Sequence, residues 1–185
     1  PVNSPVLLEL GNRNAHKRRP DKPTTLHDVF FRIGGTAAGK ATLSLEVNSD
    51  DVILDNIWAW RADHGNGVGW TINTADTGVM FVEHYQKYNA IWNGNGGQVI
   101  FFQNELPYDP PSQAEWMTAP GVLGWAALKL TDKVTRFSGI GMGSYSFFNQ
   151  GVDVFAANAF EVPETLAPGS LNNLLTVFLD PANGK

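Results

Sequence analysis

The sequence predicts an all-β fold, built as a right-handed parallel β-helix, and three observations support this expectation. Short runs rich in Val, Ile, Phe and Trp end repeatedly at Asn, Asp or Gly, as strands end at turns. Nineteen glycines and eleven prolines interrupt most windows long enough for a helix. A polar residue recurs near the middle of four such runs, at Asp28, Asn56, His84 and Asn104, with nearly even spacing. Recurrence at this scale predicts coils of chain stacked on one another.

Each predicted strand is a β-branched or aromatic run bounded by turn residues. In chain order, the predicted strands are Val6–Leu10, Val29–Ile33, Leu43–Val47, Val52–Leu54, Ile57–Trp60, Val79–Val82, Ala90–Trp92, Val99–Phe102, Ala126–Leu130, Tyr145–Phe148, Val152–Phe155 and Leu174–Leu179. The stretch Ser112–Met117 follows two prolines and predicts a single helical turn.

A β-sandwich or jelly roll is the alternative all-β architecture. Its strands alternate apolar and polar residues, because one face of each sheet meets water. The runs VFFRI, VMFV, VIFF and LLTVFL lack this alternation. Asn and Asp recurring at one place in each coil also favour the β-helix, since their side chains can form ladders at bent corners.

Composition narrows the function classes. The 185 residues are enough for one domain, and we expect a single β-helix domain over residues 1–185. The net charge of −5 makes nucleic acid an unsuitable partner. Without a run of about 20 apolar residues no membrane span is expected. Cysteine is absent, so the fold uses neither a disulfide nor a thiolate metal site.

Several long segments resemble a known family. VNSPVLLELG, HDVFFRIGG, EVNSDDVILDNIWAWRADHGNGVGWT, FVEHYQKYNAIWNGNGG, FFQNELPYDPPSQAEW and GVLGWAALKL resemble large extracellular bacterial and fungal proteins predicted to be parallel β-helices. Those proteins are often labelled discoidin or coagulation-factor-type domain proteins, and sometimes adenylyl cyclases. HDVFFRIGG is also similar to a strand of the laminarinases, glycoside hydrolases of β-1,3-glucan.

The resemblance implies a secreted, extracellular, carbohydrate-active protein. Family members are several hundred residues long, so it also implies that this chain is the C-terminal part of a longer β-helix. In relatives, a further Asn-Gly-Asp turn follows TADTGV, whereas here Met80 leads directly into Phe81. About half a coil is therefore expected to be missing at that point.

Carboxylates near strand ends are the candidate catalytic groups. Glycosidic cleavage uses two carboxyl groups, one a proton donor and the other a base or nucleophile. Asp63, Glu83 and Glu105 follow one another at intervals close to one coil of a β-helix. We expect Glu105 or Glu83 to be the general acid and Asp63 the base. Corner or loop carboxylates without a catalytic role are the alternative.

Aromatic and polar residues around these acids are typical of a glycan groove, because sugar rings stack on exposed Trp and Tyr. The predicted substrate-binding residues are Trp60, Arg61, His64, Trp70, His84, Tyr108 and Asp109. No metal is expected, since HxH and HxxxH spacings are absent. No other cofactor is expected either, because the glycine-rich segments lack the lysine of a phosphate-binding loop.

The function predicted from these features is a glycoside hydrolase acting on a β-glucan-like polysaccharide. A non-catalytic glycan-binding or structural β-helix segment is the first alternative. A polysaccharide lyase is the second, with Arg61 as its candidate base. The predicted partner is a polysaccharide or oligosaccharide. The open end of a β-helix exposes strand edges, so we also expect either a homo-oligomer or a missing N-terminal β-helix portion.

Overall fold

The structure, a computed structural model, describes residues 3–14, 18–65, 68–78 and 82–179. Within these ranges the chain forms strands and turns and no helix, and so no helix that could cross a membrane. The strands are β1 (Asn3–Leu10), β2 (Thr24–Ile33), β3 (Lys40–Val47), β4 (Val52–Arg61), β5 (Thr74–Thr77), β6 (Val82–Glu83), β7 (Ala90–Trp92), β8 (Gly97–Glu105), β9 (Met117–Ala119), β10 (Val122–Leu123), β11 (Leu128–Leu130), β12 (Phe137–Ser146), β13 (Phe160–Glu161) and β14 (Leu171–Phe178).

The strands stack as a coil. A six-stranded sheet has the order β14-β12-β8-β6-β4-β2, and two three-stranded sheets have the orders β1-β3-β5 and β13-β11-β7. Successive strands alternate between the large sheet and a smaller one, and every pairing in these three sheets is parallel. The short β9–β10 hairpin is antiparallel. This topology is that of a parallel β-helix and excludes the sandwich and jelly roll, whose sheets are antiparallel.

The interior holds two apolar clusters. One lies between β2, β4 and β6 and the smaller sheet β1-β3-β5, and includes Phe31, Leu45 and Ile57. The other lies between β8 and β12 and the sheet β7-β11-β13, and includes Phe102 and Leu130. Inward and outward side chains alternate along each strand, so burying these apolar rows turns the intervening residues outward.

Each long strand of the large sheet bends at one left-handed residue. These residues are Asp28, Asn56, Phe101, Gly141 and Asn173, with φ between 51° and 68°. The strand registers place them at the same level of the coil. Asn56 Nδ2 donates to Asp28 Oδ1 at 2.6 Å, which is a short ladder of the predicted kind.

The predicted ladder is wrong in its other two members. Asn104 is buried and points inward, where its amide donates to Val82 O at 2.7 Å and accepts from the Ser144 hydroxyl at 3.1 Å. His84 lies just beyond β6. In β8 the position in register with Asn56 is Phe101. This aromatic residue has a left-handed backbone conformation, which favours Gly, Asn and Asp.

Most predicted strands fall within observed ones, with the main differences at two places. Val79, Met80 and Phe81, where we expected part of a strand and a missing half coil, lie outside the described residues. Val152–Phe155 is irregular, and its residue Val154 packs into the core as a loop side chain. Ser112–Met117 forms a single turn, closed by Trp116 N donating to Gln113 O at 3.1 Å.

Candidate active site

One outward row of the large sheet carries the candidate catalytic groups. Parallel registers pair Arg32 with Trp60, Trp60 with Glu83, Glu83 with Glu105, and Glu105 with Tyr145. Neighbours across such strands lie about 4.8 Å apart. The residues before them on β2, β4, β6, β8 and β12 are buried, so these five side chains leave the opposite face. The structure therefore brings Glu83 and Glu105 together on the outer wall.

Glu83 is half-buried at the centre of this row. The indole of Trp58 donates from Nε1 to Glu83 Oε2 at 3.1 Å. Burial raises the pKa of the Glu83 carboxyl, the hydrogen bond from Trp58 lowers it, and the neighbouring Glu105 raises it. The net shift of this pKa is upward, chiefly because of burial.

Glu105 is held from the other side by Tyr108, whose hydroxyl donates to Glu105 Oε2. Burial, followed by the hydrogen bond and the charge of Glu105, raises the pKa of the Tyr108 phenol, so the phenol keeps its proton at neutral pH. The Tyr108 ring also contacts His84, with centroids 4.4 Å apart, and stacks on His64 at 5.3 Å. Tyr108 thus links Glu105 to the imidazole groups.

Asp63 lies beyond the end of β4, outside the Glu83–Glu105 row. Its carboxylate is fully buried, and Oδ2 accepts from Tyr108 N at 2.8 Å. His64 Nδ1 lies 2.7 Å from Oδ1, and His84 Nδ1 lies 3.2 Å from Oδ2. Burial raises the pKa of Asp63 to about 6, although the charge of Arg61 opposes this shift. The predicted alignment of three acids is therefore reduced to two, with Asp63 behind them.

His84 lies between buried Asp63 and outward-facing Glu105. Burial lowers its pKa to about 3, and the charge of His64 adds to the effect, so the ring is neutral at ordinary pH. Its Nδ1 faces two acceptors, Asp63 Oδ2 and Leu106 O at 3.3 Å, and therefore carries the single proton. Nε2 then presents a lone pair, 3.7 Å from Glu105 Oε2.

The prediction that Arg61 and Asp109 bind substrate is wrong, because both side chains are buried inside the coil. Arg61 is 0% exposed and Asp109 is 5% exposed. The guanidinium pairs with both oxygens of Asp109 and donates to Asn73 O at 3.1 Å and to His84 O. Strand alternation is the reason. Trp58 and Trp60 face outward, so Arg61 shares the inner face of β4 with Ala59. A buried charge there must be paired with an opposite one.

The predicted aromatic surfaces are divided between two places. Trp60 lies in the outward row, with the Arg32 guanidinium 5.1 Å from its ring. His64 is half-exposed and contacts both Trp60 and His84 edge-on. Trp70 is partly buried behind the site, 5.6 Å from the Arg61 guanidinium. Trp60, His64 and Tyr108 can therefore meet a sugar, whereas Trp70 and His84 support the wall.

Asp63, His64 and His84 place three possible metal-ligand atoms within 4.8 Å of one another. These atoms already face one another at hydrogen-bonding distances, and the Arg61 guanidinium lies 3.6 Å from Asp63. A permanent positive charge at that distance opposes a divalent cation. The arrangement suits a hydrogen-bonded network better than a metal centre.

Two residues of the site were not among the predicted catalytic or substrate-binding residues. Trp58 lies two positions before Trp60 on the same face of β4, and that period-two spacing is a signal that could have identified it. Tyr145 joins the row from β12, well beyond Glu105 in the chain. Its position depends on the length of the segment between β8 and β12, and no spacing rule gives that length.

The coiled parallel sheet, with its polar and aromatic outer wall, places the chain among the pectate lyase-like β-helix proteins as a class. Residues 1–105 match the model of the LAM55 pectate lyase-like domain. The chain belongs to this family. The discoidin, coagulation-factor and adenylyl cyclase labels, and the expected position at the C-terminal end of a large protein of that kind, receive no support from the match.

Proteins of one Streptomyces strain are among those similar to this chain. An exo-beta-1,3-glucanase of Streptomyces sp. (strain SirexAA-E / ActE) is 46% identical over 191 residues, which cover 97% of this chain and 31% of that protein. The structure of sacteLam55A from Streptomyces sp. SirexAA-E superposes with a TM-score of 0.85 at 47% identity, over 91% of this chain and 32% of that chain. A glutamate-to-alanine variant of sacteLam55A in complex with glucose gives a TM-score of 0.84 at 45% identity, again over 91% and 32%. This chain thus spans about a third of the length of these relatives.

Proposed function

We propose that this chain carries the catalytic wall of a glycoside hydrolase that acts on β-1,3-glucan, with Glu83 and Glu105 as its carboxyl pair. The observation that carries the proposal is their direct register on adjacent strands, with both side chains facing outward beside Trp60 and Tyr108. The similarity to an exo-beta-1,3-glucanase supports the choice of substrate.

The chemistry of the pair follows from its spacing. Burial and the neighbouring Glu105 both raise the pKa of the Glu83 carboxyl, the second because two adjacent negative charges repel. The protonated member donates to the leaving glycosidic oxygen, and the ionised member stabilises the developing positive charge or activates water. Trp60 offers a ring for the sugar, and Tyr108 orients Glu105.

Asp63 takes a different part in this proposal from the base expected from the sequence. Both of its oxygens are engaged and none of the side chain is exposed. It holds His64 and the Tyr108 backbone in place and leaves the contact with water to the Glu83–Glu105 pair. Asp63→Asn should therefore lower the rate less than Glu105→Gln does.

The experiment is hydrolysis of a soluble β-1,3-glucan by Glu83→Gln and Glu105→Gln, measured by the release of reducing ends. General acid–base groups contribute about 10²- to 10⁴-fold, so each variant should lose at least about 100-fold in kcat. Glu164→Gln, at an exposed position outside the site, is the matched control and should keep its rate. Losses no larger than that of the control would refute the assignment.

A non-catalytic glycan-binding segment is the second candidate, favoured by the fact that the chain spans about a third of its relatives. Calorimetric binding of a β-1,3-gluco-oligosaccharide without any product would favour it. The lyase alternative is weakened because its candidate base, Arg61, is 0% exposed and paired with Asp109.

The proposal also includes an extracellular location and association of the outer face of the large sheet with further protein. Glucan polymers are met outside the cell, which suits a secreted protein. The outer face of the large sheet exposes Ile100 and its register partner Ile140, a pair that contact with further protein would cover. Sedimentation of the purified chain, compared with 20.2 kDa, measures self-association directly.

A further inference from the structure

Trp58 is half-exposed, yet contacts on two sides fix its orientation. It is the register partner of Phe30 on β2, and the two rings stack with centroids 4.4 Å apart and planes 18° apart. On the other side its Nε1 donates to Glu83 Oε2 at 3.1 Å. One face of the Trp58 ring therefore packs on Phe30, and its Nε1 edge is hydrogen-bonded to Glu83.

The two carboxyl groups of the pair have partners of different chemistry. An indole Nε1–H can only donate, so Trp58 favours a charged oxygen on Glu83. The Tyr108 hydroxyl donates to Glu105 Oε2, but a hydroxyl can also accept. Glu83 is therefore the member of the pair whose hydrogen-bond partner, an indole, can only donate.

We propose that Trp58 is a positioning residue that holds Glu83 in its ionised form through the hydrogen bond from Nε1, with Phe30 fixing the plane of its ring. This inference rests on the proposed function, because Glu83 belongs to the proposed carboxyl pair.

Trp58 is needed for this role because other groups around Glu83 act against its ionisation. Burial raises the pKa of the Glu83 carboxyl most, and Glu105 on β8 and Asp63 after β4 add to the rise. His64, also after β4, lowers the pKa, but its effect is smaller than that of the hydrogen bond from Trp58. Tyr108 faces the same group as a neutral phenol.

The test measures the ionisation of Glu83 directly. In the full chain labelled with ¹³C at glutamate carboxyl groups, the Glu83 resonance is assigned by its loss in Glu83→Gln, and its titration midpoint is followed by NMR. Trp58→Phe keeps an aromatic ring against Phe30 and removes the donor. We expect the midpoint to rise by about one pH unit, which is the loss of one hydrogen bond to a charged group.

Trp92→Phe is the matched control, since it removes an indole that donates to Gly94 O at 2.8 Å on another sheet. It should leave the Glu83 midpoint unchanged. A second measurement needs no substitution at Trp58: its indole resonance, one of six in the chain, should shift with the Glu83 midpoint and lose that shift in Glu83→Gln. An unmoved midpoint in Trp58→Phe, or an indole resonance insensitive to Glu83, would overturn the proposal.

The pH profile of glucan hydrolysis separates the two proposals. With Trp58→Phe the acidic limb of kcat/KM should move upward with the Glu83 midpoint, because Glu83 must be ionised to act. If Glu83→Gln hydrolyses glucan at full rate, the proposed function fails while the titration result stands. If Glu83→Gln is inactive but Trp58→Phe leaves the midpoint and the acidic limb unchanged, this inference alone fails.

Discussion

Replacing Arg61 by Met should destabilise the coil more than any surface change of the same kind. The methionine keeps most of the side-chain volume but removes the charge that neutralises Asp109 and lies 3.6 Å from Asp63. Both carboxylates are buried, and leaving a buried charge without its partner costs about 3–5 kcal/mol. That is a large share of the ~5–15 kcal/mol that stabilises an ordinary domain.

Urea unfolding followed by tryptophan fluorescence measures this cost, as a lower midpoint with an unchanged slope. Arg13→Met is the matched control, because Arg13 also donates to both oxygens of one carboxylate, Glu46, at 2.8 and 2.6 Å. Its side chain is 65% exposed, so solvent screens the pair and we expect no measurable change. Equal effects of the two substitutions would refute the argument that burial makes the Arg61 pair important.

Two further predictions concern Asp63 and Phe101. Burial raises the pKa of Asp63 from 3.8 to about 6, so its contribution to stability is present below pH ~4 and is lost as pH rises through 6. Asp63→Asn removes that loss, and its stability relative to the parent should rise by about 2–3 kcal/mol between pH 4 and pH 7 in urea unfolding; a constant difference across this range would contradict the shifted pKa. Phe101→Asn should raise the unfolding free energy by about 0.5–1 kcal/mol, because Asn tolerates the left-handed φ of 61°, and a lower value would show that contacts of the ring outweigh its backbone strain.

The coil and its carboxyl pair could be predicted because both depend on spacing. Stacked coils of similar length bring Glu83 and Glu105 into register, because β6 and β8 are separated by one regular coil that contains the strand β7. The Asp28–Asn56 ladder was predictable for the same reason, since β2 and β4 are separated by one regular coil.

Features that depend on the inside of the coil could not be predicted in the same way. Arg61 follows the outward-facing tryptophans of β4, and its partner Asp109 lies far along the chain in a loop. Alternation from an outward Trp60 places Arg61 on the inner face, but the sequence does not show that Asp109 lies there to neutralise it. Phe101 is a similar case, because the left-handed conformation belongs to its level in the coil and the sequence there reads as an ordinary aromatic run.

The most direct test of the account is a double-variant cycle at Glu83 and Glu105, measured as kcat for β-1,3-glucan hydrolysis. Groups that act as a unit give losses that are not multiplied. The stacked pair therefore predicts that Glu83→Gln and Glu105→Gln each lower kcat by about 100-fold or more, and that the double variant is no slower than the slower single one. Full activity in either single variant, or losses that multiply in the double variant, would contradict it.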